Sequence, residues 1–459
     1  MVSRARRLLW GAFPAALIIL VPGFWLTSPE PVRGASPGAP PASPWKERPV
    51  KFRLANGLNG FYQHDMTSAV TVVVMFISGG KRDVPAGKDG LGYLATRLGV
   101  EIPDPDTARL IISQATRMKV SVAEDYAVIS LQCLSENLEP AVKVASELIQ
   151  GRIFSGLRIE HNKESMALLG RAGEDDAVQT GHRAAFKAFF QGRGYGSADY
   201  GTEESLKGLT KKDIIAYDRR HLVKGGLLFS VCSDLDKEKV LKLLEQNFTK
   251  IPEGESASDE NPLPASCPSD RKVVLVKDAK QSYVARVFLC PFSPAAPGVF
   301  AKACLAEAIL GKGAGSRLWA LRAAHELAYS VNARLTWTRI CGLMECYLET
   351  EKAKRDKAVE SLDNVLKVFF DQGVTADELD MAKALARTEF LRFNEAKEPR
   401  CLSLGHFEIL GLGADYFSAV FDDLKAVTPE DMNAFIKTVF SPEASLLVVV
   451  GGGAGSPRL

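Results

Sequence analysis

A repeated grammar constrains this chain more than any single motif. Ser205-Leu-Lys-Gly-Leu-Thr210-Lys-Lys-Asp213-Ile214 resembles Asp423-Leu-Lys-Ala-Val-Thr428-Pro-Glu-Asp431-Met432. Both carry Thr-x-x-Asp, in which the hydroxyl caps a helix N-terminus and the carboxylate answers the free backbone N–H of the cap. Pro429 takes the first helical position, where its missing N–H costs nothing. An aromatic residue follows at matching places, Tyr217 and Phe435, and each copy closes on an apolar strand, Leu227–Cys232 or Leu446–Val450. The copies also open alike, with β-branched apolar strands at Val70–Ile77 and Tyr283–Cys290. Amphipathic helical stretches lie between, among them Leu138–Ile149 and Ala358–Phe370.

A chain of 459 residues is too long for one hydrophobic core. The pattern predicts an α+β fold of two homologous lobes, 48–252 and 272–452, followed by a tail at 453–459. They are joined by a linker at 253–271, because Pro252–Asp270 is rich in turn formers and has no periodicity. A net charge of +2 gives no electrostatic reason to expect nucleic acid. The eight cysteines are scattered without the paired spacing of a disulfide scaffold or zinc ribbon, so they read as small buried hydrophobes.

The first 27 residues read as a signal peptide or a membrane anchor. Arg4, Arg6 and Arg7 precede an apolar run from Leu8 to Leu26, and no acidic residue comes before Glu30. Residues 28–47, rich in Pro, Gly, Ala and Ser, read as a tether. The expectation is an exported protein, periplasmic or anchored facing the periplasm.

Three further stretches carry a family resemblance. They are Ser78-Gly-Gly-Lys-Arg82 through Gly90-Leu91, Tyr195-Gly196 through Gly201-Thr202-Glu203-Glu204-Ser205-Leu206, and Gly315-Ser316-Arg317-Leu318 through Leu327-Ala328-Tyr329-Ser330-Val331. In this order, and on a duplicated background, they resemble the insulinase-like (pitrilysin) family of zinc peptidases, over roughly Val50 to Gly451. The resemblance implies two α+β lobes paired with a second chain around a peptide chamber.

Active members follow Gly-Leu with a helix bearing His-x-x-Glu-His. Two histidines four apart share one helical face and hold Zn²⁺, and the glutamate activates water. Tyr93, Leu94, Ala95, Thr96 and Arg97 stand there instead. A neutral phenol is a poor zinc ligand, Thr96 is no base near neutral pH, and Arg97 only donates. The third ligand position falls on Leu169, with Glu160, Glu164 and Glu174 close enough in sequence for a shifted register. The six histidines offer no other pair at helical spacing, and His325-Glu326 belongs to the second-half motif rather than to a metal site. No metal and no catalytic residue is expected in this chain.

In two-chain relatives an arginine and a tyrosine seven residues apart come from the inactive subunit and face the partner's zinc. The resemblance assigns this place to Arg322 and Tyr329 as substrate-binding residues. A guanidinium fork suits a peptide carbonyl, and a phenol can donate to an oxyanion. Many relatives have Gly where this chain has Glu326. Gly313-Ala-Gly315 lacks the Lys-Ser/Thr of a phosphate loop and reads as a tight turn, Ser316 has no His and carboxylate to activate it, and Glu351–Lys357 reads as a solvated helix start.

The preferred expectation is therefore a non-catalytic subunit that pairs with an active insulinase-like homologue, the zinc residing in that partner, and helps hold extended peptides. A second reading is a peptide-binding or assembly scaffold with no role in proteolysis. A third, a hydrolase that recruits metal unconventionally, is disfavoured by the lost ligands.

Overall fold

The computed structural model describes residues 48–256, 267–275, 281–323 and 326–451. The leader 1–27, the tether 28–47, the tail 453–459, most of the linker and His325 lie outside the described residues. Among the described residues no helix is long and apolar enough to cross a membrane.

Two sheets repeat one topology. The first has the order β1-β2-β6-β3-β5-β4, from β1 (Val50–Arg53), β2 (Asn59–His64), β3 (Val70–Ser78), β4 (Arg117–Val122), β5 (Tyr126–Leu134) and β6 (Leu227–Ser233). The second has the order β7-β11-β8-β10-β9, from β7 (Lys272–Leu275), β8 (Gln281–Cys290), β9 (Ser330–Trp337), β10 (Gly342–Glu351) and β11 (Ser445–Val450). In both, the closing strand runs parallel to one neighbour, β2 or β7, and antiparallel to the opening long strand, β3 or β8. Apart from β1, the second sheet is a strand-for-strand copy of the first.

The twin capping motifs form as read. Thr210 accepts from the Asp213 N–H and Thr428 from the Asp431 N–H, and each carboxylate accepts in return from the N–H of its threonine. The helices they open, Lys211–His221 and Pro429–Val439, bury Tyr217 and Phe435.

β3 is buried along nearly its whole length, so both faces need cover. Val73, Met75 and Ile77 face a core shared with the helices Leu91–Leu98 and Leu138–Gln150. Val72, Val74 and Phe76, on the other face, meet Cys401 and Leu402 of the helix Lys397–Ile409, which belongs to the second half of the chain. The exchange is mutual. The first-half helix Ala177–Phe189, capped by Asp176, lays Ala185, Phe186 and Phe189 on Tyr283, Ala285 and Val287 of β8. Each phenylalanine so buried contributes about 1.5–3 kcal/mol.

Both exchanged helices carry Gly-His at the contact. A Cβ on Gly181 would stand 2.2 Å from Tyr283 Cε1, and one on Gly405 would stand 2.1 Å from Phe76 Cε2. Only glycine allows this approach. The adjoining histidines reach polar groups on the strands: His182 the carboxylate of Glu345, and His406 the hydroxyl of Tyr126, 3.0 Å away. Charge fixes the second-half helix further. Lys397 Nζ donates to the carbonyls of Asp65, Ser68 and Val70, each at 2.8 Å, and Arg400 meets Asp65 at 2.7 Å.

Candidate functional site

The helix Leu91–Leu98 begins after Gly90, whose φ of 84° lies in the left-handed region. A Cβ at Gly90 would lie 2.8 Å from the Gly201 nitrogen and 2.9 Å from Met166 Cε, so two of the sequence's resemblance stretches meet here with the helix Gly156–Asp175. Leu169 is half-buried on that helix, one turn from Met166. Glu160, Glu164 and Glu174 are exposed on it.

The three chemical positions are occupied by packing. Tyr93 is buried edge-to-face against Tyr200, with ring centroids 4.9 Å apart, and burial pushes its phenol above the ordinary value while Arg97 pulls the other way. The Thr96 hydroxyl turns back to donate to the Gly92 carbonyl at 2.8 Å. Arg97 is half-buried. Behind the helix, Arg152 pairs with Asp218 and fills the space beside Gly99. Among the described residues no three His, Cys, Asp or Glu side chains cluster as a metal site. His64, His221 and the two cross-half histidines instead have hydrogen-bonding partners, and His161 is exposed.

Arg322 and Tyr329 lie on the second half. Arg322 sits on the short helix Trp319–Ala323 with its guanidinium 4.8 Å from the centre of the Trp319 ring. Tyr329 immediately precedes β9, the edge strand of the second sheet, and is 52% exposed. Its N–H donates to the Glu349 carbonyl at 2.9 Å and its hydroxyl to Glu351 at 3.1 Å. That hydrogen bond raises the phenol's pKa above its ordinary value. No hydrogen bond or ring contact joins Arg322 to Tyr329 among the described residues. Glu326 between them takes φ 48°, so the loop keeps the left-handed backbone that glycine would adopt freely.

The neighbouring motif residues are structural. Ser316 Oγ donates to the Gly313 carbonyl at 2.9 Å, and Gly313 has φ 74°, as a tight turn requires. Arg317 forks onto both oxygens of Glu378, each at 2.7 Å. The run Glu351–Lys357 ends β10 and starts the helix Arg355–Gln372.

Residues 208–385, which span the linker and contain Arg322 and Tyr329, match the model of the peptidase M16 inactive domain. The chain is thus similar to the M16 peptidase family, through the inactive domain of that family. It is similar to the non-peptidase homolog YmxG of Helicobacter pylori, with 26% identity over 72% of this chain and 76% of that protein. It is also similar to the mitochondrial-processing peptidase subunit beta of Blastocladiella emersonii, with 22% identity over 87% of this chain and 88% of that one. The fold is that of the M16 inactive domain protein from Pseudomonas fluorescens, with a TM-score of 0.80 at 19% identity, covering 90% of this chain and 100% of that one. The resemblance read from the motifs is thus to the family that the comparisons also find, and the similarity is to its inactive members.

One feature between the two halves has no counterpart in the motifs. A cavity of about 280 Å³ opens between the halves, bounded by the ends of β4 and β5 on one side and by β9 and second-half helices on the other. The paired Gly-His dipeptides were the available signal, since both histidines line it.

Proposed function

We propose that this chain is the non-catalytic subunit of a two-chain M16 zinc peptidase, pairing with an active homologue and helping to hold extended peptides. The observation that carries this reading is the state of the Leu91–Leu98 helix. It keeps its place in the core, while the positions that would hold zinc and the base are given to Tyr93, Thr96 and Arg97. A chain that preserves the fold but not the chemistry retains the surfaces of the fold for assembly. Arg322 and the exposed Tyr329 are the residues of this chain assigned to the peptide, a carbonyl fork and a phenolic donor respectively. The basic, apolar leader supports export as the setting.

The test is co-expression with a homologue that retains His-x-x-Glu-His, followed by peptide cleavage assays of each chain alone and of the purified pair. Cleavage should require the pair and should fall about 10²-fold on Tyr329→Phe in this chain, with assembly unchanged. Full activity of the homologue alone would remove the proposal.

A second reading is favoured by one observation. Tyr329 already donates its proton to Glu351 and Arg322 lies on Trp319, so both groups have internal uses. Under this reading the chain is an assembly scaffold, and Tyr329→Phe leaves cleavage by the assembled pair unchanged.

A further inference from the structure

The cavity between the halves has the chemistry of a binding site rather than of a packing defect. Its walls are aromatic, with Tyr126 from the first half and Phe300, Trp337, Phe390, Phe393 and Phe407 from the second. Every carboxylate at its edge has a cationic partner, Lys81 serving two of them. Lys81 bridges Glu124 at 2.8 Å and Asp199 at 2.9 Å, Lys312 pairs with Glu307 at 3.1 Å, and Arg392 lies 3.6 Å from Glu389. Burial lowers the pKa of His406 to about 4, so its ring is uncharged at neutral pH. Such a lining receives an uncharged molecule with least loss, because a charged one would have to compete for groups that already hold an opposite partner.

Besides Asp199 Oδ1, which pairs with the Lys81 ammonium, two buried polar atoms in the lining residues have no hydrogen-bond partner among the described residues. One is the indole N–H of Trp337, a side chain only 7% exposed. Its ring stacks on Phe300 with centroids 6.0 Å apart. Its Cε3–Cζ3 edge is held against Gly342, where a Cβ would approach to 2.7 Å, and this turns the pyrrole N–H away from Gly342. The other is Oδ1 of Asn394, a fully buried residue at the end of the helix Ala376–Phe393. The Asn394 amide NH₂ donates to the Phe390 carbonyl at 2.9 Å, which fixes the amide and directs Oδ1 elsewhere. Leaving a buried donor and a buried acceptor unmet costs about 1–3 kcal/mol each. Together they ask for one acceptor and one donor, set among aromatic rings.

We infer that the cavity between the two halves binds a small uncharged aromatic amide, whose carbonyl accepts from Trp337 Nε1 and whose N–H donates to Asn394 Oδ1. The ring of the ligand lies among the Phe300, Phe390 and Phe407 side chains, where offset or edge contacts add to its burial. Because both halves supply walls, occupancy fastens one lobe to the other. The inference is independent of any partner chain.

N-benzylacetamide is the probe, titrated calorimetrically into the full chain, with N-benzyl-N-methylacetamide and n-propylbenzene as controls. The secondary amide should bind saturably at one site and raise the melting temperature. N-methylation removes the donor to Asn394 and should weaken binding about tenfold, as the loss of one buried hydrogen bond does. Trp337→Phe keeps a ring on Phe300 but removes the N–H, and should also weaken the secondary amide about tenfold. That variant should leave the melting temperature of the unliganded chain nearly unchanged. Absence of saturable binding would show that water alone fills the cavity and would overturn the inference. Equal affinity for n-propylbenzene, or affinity untouched by Trp337→Phe in a folded variant, would overturn it too.

Discussion

The imidazole of His182, on a helix of the first half, is hydrogen-bonded to the carboxylate of Glu345, on β10 of the second. Both side chains are buried, and Tyr283 donates to the other carboxylate oxygen at 3.2 Å. Burial opposes ionisation of Glu345, but His182, Arg334 and Tyr283 outweigh it and hold its pKa below the usual value. Removing one member of a buried pair strands the other. His182→Ala should therefore lower the unfolding free energy by about 3 kcal/mol, while His182→Met with Glu345→Met should lose clearly less than the sum of the single changes. Denaturant unfolding of the four proteins of the cycle checks this. Additive losses would mean that the pair does not tie the halves together.

The backbone at Glu326 gives a second prediction. A non-glycine residue at φ 48° bears about 1–2 kcal/mol of conformational cost. Glycine removes that cost but adds freedom to the unfolded chain, which takes back about 0.4–1 kcal/mol. Glu326→Gly should thus raise the unfolding free energy slightly, by about 0.5–1 kcal/mol. The Glu326 side chain is exposed, so the change uncovers little buried surface. A destabilised variant would show that the loop is shaped by the Glu326 side chain and not tolerated despite it.

Much of this architecture was legible before the structure. The capping motifs at Thr210 and Thr428 marked equivalent helices because capping is local chemistry, readable from four residues. The β-branched apolar runs of β3 and β8 marked strands that open each half. Which helix supplies the outer cover was not legible. Lys397 and Arg400 give their helix the look of a solvated element, and only the tertiary fold shows them buried against the Asp65–Val70 turn. Residue types alone put a phenol, a hydroxyl and a guanidinium at Tyr93, Thr96 and Arg97, but not that the phenol packs on Tyr200 or that the hydroxyl turns back to the Gly92 carbonyl. The cavity's polar groups were not legible, because Trp337 and Asn394 are remote in sequence and neither belongs to a motif; only the paired Gly-His dipeptides pointed to the place.

Two groups at the seam titrate in opposite senses between pH 4 and 6.5. His406 has a pKa lowered from 6.5 to about 4 by burial, with Glu124 opposing the shift. Between these values the unfolded chain binds a proton that the folded chain does not, so stability is full above pH 6.5 and is lost as pH falls toward 4. Asp125 acts the other way. Burial pushes its carboxyl from 3.8 up to about 6, against hydrogen bonds from Tyr195 and the Arg339 N–H, so acidification through 6 stabilises the fold. The two contributions partly cancel in the intact protein. Comparison with His406→Gln isolates the histidine: the stability of the intact chain relative to this variant should fall by up to about 3 kcal/mol between pH 7 and pH 4.5. Urea titrations at pH 7.5, 6 and 4.5 measure it, and a difference independent of pH would show His406 to be protonated in the fold.

The last prediction concerns how deeply the metal site is lost. Tyr93→His, Thr96→Glu and Arg97→His together restore two zinc ligands and a base on one helical face, but two histidines make an incomplete set for a catalytic zinc. The resemblance places the third ligand at Leu169, on the helix Gly156–Asp175. Its stretch around Met166 and Gly170 flanks the loop that opens the Leu91–Leu98 helix, since Cβ atoms at Gly90 and Gly170 would meet Met166 at 2.9 Å and the Gly201 carbonyl at 3.9 Å. Leu169 lies within that stretch and is half-buried. The triple variant should therefore retain little zinc after dialysis. Adding Leu169→Glu should tighten binding at least tenfold, read by chelator competition and metal analysis. Tyr200 loses its ring partner in both variants, so both are compared at matched stability. Peptide cleavage should stay far below that of an active homologue even with zinc bound, because groups that orient the ligands contribute about 10–100-fold and none has been rebuilt. Tight zinc in the triple variant, or no gain from Leu169→Glu, would show that the third ligand comes from elsewhere in the fold.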